Sequence, residues 1–69
     1  MIEYNDQERR FLVENIENAE RLLASDDVND ILLPLDEWIA MNGFDENYAL
    51  TDLGRSAQQI YDSLYRKNV

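Results

Sequence analysis

Val28-Asn29-Asp30-Ile31-Leu32-Leu33-Pro34-Leu35-Asp36-Glu37-Trp38-Ile39-Ala40-Met41-Asn42-Gly43 is the stretch on which the fold turns. Its apolar residues Val28, Ile31, Leu32, Leu35, Trp38 and Ile39 recur at i, i+3, i+4, i+7, i+10 and i+11. That period belongs to a helix with one buried stripe, not to the two-residue alternation of a strand. Pro34 cuts across the pattern. It carries no N–H, and its ring crowds the carbonyl four residues back, at Asp30. Two outcomes fit: one helix kinked at Pro34, or a short turn over 28–32 leading into a helix that begins at Pro34. Asn42-Gly43 ends the segment in either case, with Gly43 suited to the left-handed position after the last turn.

On the N-terminal side, the sequence predicts a helix from Asp6 to about Ala24. Asn5 is its cap, and Glu8 completes a capping box three residues later. Leu12, Ile16, Ala19 and Leu23 form its stripe at 4-3-4 spacing, widened by Phe11 and Leu22. Asp6–Arg10 and Glu17–Arg21 are i,i+4 pairs in the favourable order. Ser25-Asp26-Asp27 stops this helix and caps the next. On the C-terminal side, 44–50 reads as a loop in which Tyr48-Ala49-Leu50 has strand character. Thr51 then caps a third helix from Asp52 to about Lys67, with Leu53, Ala57, Ile60 and Leu64 inward. Gly54 is costly in a first turn by about 1 kcal/mol, which implies the close approach of another backbone or a ring. The reading is all-α: a small three-helix domain spanning residues 1–69.

Composition narrows the function. The chain has no cysteine and no histidine, so it offers neither disulfide nor thiolate or imidazole metal ligand. A serine nucleophile would lack its usual base, and the carboxylate pairs Asp26/Asp27 and Asp36/Glu37 read as helix starts and solvated faces. Asp27-Val28-Asn29-Asp30 departs from the calcium-loop pattern, with Leu32 at the glycine position. The expectation is therefore a protein that is not an enzyme and takes no cofactor or metal. The longest apolar run, Ile31-Leu32-Leu33, is far too short to span a bilayer, and no secretory leader is visible in the opening residues. The expected compartment is the cytoplasm.

Tyr48-Ala49-Leu50-Thr51-Asp52-Leu53-Gly54-Arg55 resembles the exit from the wing in winged-helix regulators, where a strand ending Y-x-L-T enters a helix opening x-x-G-R. The resemblance covers eight of the 69 residues. It implies a paired strand at 48–50 and a recognition helix over Val28–Met41. That segment holds Asp30, Asp36 and Glu37 and neither Lys nor Arg, so the resemblance implies the fold without DNA binding.

Charge carries the functional expectation. Six bases against fifteen acids leave a net −9. Residues 1–52 contain fourteen acids and three bases; residues 53–69 hold Asp62 against Arg55, Arg66 and Lys67. Such a surface repels nucleic acid and anionic lipid and attracts basic proteins. Glu17, Glu20, Asp26, Asp27 and Asp30 are the candidate partner-binding residues, along the outer side of the first helix and its turn. Small phage-encoded inhibitors that imitate nucleic acid are similar in size, charge and lack of cysteine. Solubility alone is the plainer account of the acids. Leu33, Met41, Tyr61 and Tyr65 fall off the core stripes and form a candidate apolar interface, for a homodimer or a partner helix. Packing against Phe44 or Tyr4 is their plainer reading.

Overall fold

The computed structural model describes all 69 residues and contains four helices: α1 Asp6–Asn15, α2 Ala19–Leu23, α3 Asn29–Asn42 and α4 Asp52–Asn68. The all-α expectation holds, with one more helix than the periodicity suggested.

α3 runs without interruption through Pro34. Of the two outcomes the sequence left open, continuity is the one adopted. Ile31, Leu32 and Leu35 flank the proline and are 0–2% exposed. Full burial of such side chains stabilises by about 1.5–3 kcal/mol each, so the three together exceed the roughly 3 kcal/mol that an interior proline costs. Val28 and Ile39 complete the buried stripe, and Trp38 meets Phe11 edge to face with ring centroids 5.6 Å apart.

The N-terminal helix is not continuous. α1 stops at Asn15, Ile16 is extended (φ −111°, ψ 123°), and Asn18 is left-handed (φ 62°, ψ 24°) before α2 begins. The Asn15 side-chain amide donates to the Phe11 carbonyl at 2.8 Å. Two asparagines within four residues supply this local alternative, since asparagine is a weak helix former that tolerates the left-handed region. The predicted stripe nevertheless survives, because Leu12, Ile16, Ala19 and Leu23 are all buried. Both expected i,i+4 ion pairs are lost. Arg9 instead bridges the break to Glu20.

At the other end of α3, Gly43 has an ordinary right-handed backbone (φ −88°, ψ −4°), contrary to the left-handed expectation. Its role is close approach. A Cβ on Gly54 would lie 2.2 Å from the Gly43 carbonyl oxygen, so the two glycines let α3 and α4 touch backbone to backbone. Thr51 fixes the corner: its N–H donates to that carbonyl at 2.8 Å, and its hydroxyl accepts from the Gly54 N–H at 3.0 Å. The expected close approach at Gly54 is therefore present. Leu53 is 48% exposed, so the inward face of α4 runs through Gly54, Ala57 and Leu64, with Ile60 and Tyr61 partly buried beside them.

The loop reading of 44–50 holds, and the paired strand that the winged-helix resemblance implied at 48–50 does not form. Leu50 makes one isolated antiparallel bridge with Phe44, and Tyr48 turns left-handed at φ 61°. Asp45 organises this loop, its carboxylate accepting from the N–H groups of Asn47 and Ala49. A wing with paired strands is absent, which removes the structural expectation attached to the winged-helix resemblance.

Candidate interaction surface

The five predicted acidic residues, Glu17, Glu20, Asp26, Asp27 and Asp30, are all solvent-exposed. The continuous first helix expected to carry Glu17 and Glu20 is interrupted. The break at Ile16–Asn18 separates Glu14 on α1 from Glu17 in the turn and Glu20 on α2. Most of the set also has local work. Glu20 pairs with Arg9, and Asp26 receives the Met1 amino group at 3.2 Å. Asp27 accepts from the Asn29 N–H at 3.0 Å at the entrance to α3, while Asp30 accepts from the Ser25 hydroxyl. No group of three or more carboxylates is placed to hold a metal ion.

A more coherent arrangement lies on the solvent side of α3. At about 100° per residue, Leu33 and Ala40 fall on its outer midline. Asp36 lies on one side of that line, and Glu37 and Asp30 on the other, with Met41 next to them. Leu33 is 66% and Met41 82% exposed, and the acids and Ala40 are exposed as well. α3 carries no basic residue. The same periodicity that buries one side of the helix therefore presents apolar side chains between carboxylates on the other. Of the remaining apolar candidates, Tyr65 is 51% exposed, whereas Tyr61 is partly buried against the core and leaves the proposed interface.

Glu8 does more than cap α1, the one role legible in its local sequence. Its side chain accepts from the Asn5 N–H at 2.9 Å, completing the capping box, and from Lys67 Nζ at 2.6 Å. Glu8 is 5% exposed. Burial pushes its carboxyl upward, but hydrogen bonds from Lys67, Ser63 and the Asn5 N–H, with the Lys67 charge, outweigh that and hold it below its ordinary value. Glu8 borders a half-open cleft of about 350 Å³ between α1 and α4, shared with Gln7, Phe11, Ser56, Gln59 and Ser63. The carboxylate is its one ionisable group and is committed to Lys67, so the pair serves to fasten α1 to the end of α4. A second tie lies nearby: Asn68 accepts from the Glu3 N–H at 2.7 Å and donates to the Glu3 carbonyl at 3.0 Å. The excess of base over acid after residue 52 was the available signal for such a partner.

No helix is long and apolar enough to cross a membrane. No protein-family model, curated protein or solved structure matches the chain.

Proposed function

We propose that this chain is a non-enzymatic interaction protein that binds a basic surface on a larger protein and acts there as an inhibitor or regulator. The observation that carries the reading is the net charge of −9 on an 8.1 kDa body, with fourteen of its fifteen acids before residue 53. A surface of that sign concentrates basic partners and speeds their encounter.

The most specific form of the reading is imitation of nucleic acid in a basic channel, as in inhibitors carried by phage or mobile elements. The longest dimension is 38 Å, so the net charge amounts to about one per 4 Å. Duplex DNA carries one charge per about 1.7 Å of axis and each strand one per about 3.4 Å. That density favours a groove built for a single strand over one built for a duplex. The chain itself would bind neither nucleic acid nor membrane.

A second reading draws on the exposure of Leu33, Met41 and Tyr65. In it the chain is an accessory or assembly subunit acting through helix packing or as a homodimer, and its charge maintains solubility. Salt separates the two. Immobilised chain should retain a basic protein from its native host at low salt, release it as salt rises, and lose it to added DNA. Retention indifferent to both salt and DNA would contradict the charge-led reading. A Tyr65→Ala variant that changes a dimer into a folded monomer in sedimentation would support the packing one.

A further inference from the structure

We infer that the outer face of α3 is the docking surface, and that its occupant is a basic amphipathic helix of the partner protein. This rests on the reading that the partner is basic, and it specifies which face is used and what covers it.

Three observations converge. Leu33 and Met41 remain 66% and 82% exposed on a helix whose other side packs into the core. Ala40 lies one heptad from Leu33, so the middle of the face alternates a large and a small apolar side chain, the relief into which a second helix packs. Asp30, Glu37 and Asp36 border that midline on both sides with no base among them. In paired helices, the charges flanking an apolar seam select the partner. Here they select lysine and arginine on both flanks.

Complementarity also excludes the simplest alternative occupant. A second copy seated on this face through its own α3 would set carboxylates against carboxylates along the whole seam, which is repulsive. The exposed midline is therefore suited to another chain and unsuited to two-fold pairing with itself. The Ser25–Asp30 hydrogen bond leaves Glu37 and Asp36 as the flanking acids without a side-chain partner.

The test uses a synthetic helical peptide with a leucine seam flanked by lysines, and a second peptide of equal charge with the leucines replaced by glutamine. Binding is read by calorimetry on the full chain. The leucine peptide should bind at low salt and the glutamine peptide about tenfold more weakly or worse. Leu33→Gln/Met41→Gln, both surface changes, should weaken the leucine peptide by about tenfold, and Asp36→Lys/Glu37→Lys should weaken it further. Glu14→Lys/Glu46→Lys, an equal charge change elsewhere, should have much less effect. If both peptides bind alike and the two charge-reversed variants lose equally, the assigned face is wrong while the basic-partner reading stands. If neither peptide binds even at low salt, the basic-partner reading fails with it. A dimer of the free chain that Leu33→Gln/Met41→Gln dissociates would overturn the choice of occupant.

Discussion

α3 contains a proline and stays whole; the α1–α2 segment contains none and breaks. The contrast shows what holds a short helix together in a domain of this size. Intrinsic preference disfavours α3 at Pro34, yet apolar side chains on both sides of the proline bury against the same core, and bending away would expose them. In α1–α2, Leu12 and Ile16 precede the left-handed turn and Ala19 and Leu23 follow it, so the core keeps all four whether or not the backbone is helical between them. Asparagine then decides locally. Packing overrides propensity only where a break would cost burial.

The largest expected effect follows from that statement. Leu35 is completely buried beside Pro34. Leu35→Ala should destabilise by about 2–5 kcal/mol, which approaches or exceeds the roughly 3–5 kcal/mol a core of this size supplies. Circular dichroism should show a largely unfolded chain at 25 °C, and a cooperative melt near the parent's would refute the role given to α3 packing. Pro34→Ala works in the opposite direction. It restores a donor for the Asp30 carbonyl and should stabilise by about 1–2 kcal/mol in urea unfolding, part of the gain being offset by a more flexible unfolded chain.

These two regions also show how much the sequence could reveal. Every residue of the α3 stripe and of the Leu12–Leu23 stripe was identifiable, because burial periodicity is written in side-chain type. Backbone continuity was not, because the 4-3-4 spacing of Leu12, Ile16, Ala19 and Leu23 suits either a single rod or two pieces around one core. Thr51 and Gly54 were legible through cap chemistry and the oddity of an early glycine. Gly43 was misread, since a glycine after a helix fits a left-handed cap and a close contact equally well. For the candidate surface, the acids and the exposed Leu33 and Met41 were visible, but their arrangement was not. The first helix expected to carry Glu17 and Glu20 is interrupted between Asn15 and Asn18, and Lys67 reaches Glu8 across 59 positions, beyond any local pattern.

Smaller effects probe the break itself. Asn18→Gly should stabilise by about 0.5 kcal/mol, since glycine occupies the left-handed region without strain. A destabilised Asn18→Gly variant would show that the asparagine side chain, not its backbone tolerance, sustains the turn. Acid unfolding gives the last contrast. Against the upward push of burial, hydrogen bonds from Lys67, Ser63 and the Asn5 N–H, with the Lys67 charge, hold the Glu8 carboxyl below its ordinary value, so its ionised form favours the folded chain. Its contribution is complete above that ordinary value and is lost as pH falls through the lowered value. Glu8→Gln retains a capping acceptor but removes the charge, and should flatten the acid-side fall in stability expected of the parent. An unchanged acid limb would mean that the Lys67 pair adds nothing to stability.

One continuous helix, α3, is proposed to use one face for the core and the other for a basic partner. Backbone amide NMR of the labelled chain, titrated with the lysine-flanked leucine peptide at low and then raised salt, tests it most directly. Shifts should concentrate on Leu33, Asp36, Glu37, Ala40 and Met41 and fade as salt is added. Shifts spread evenly over all the acidic segments, or absent from α3, would contradict it.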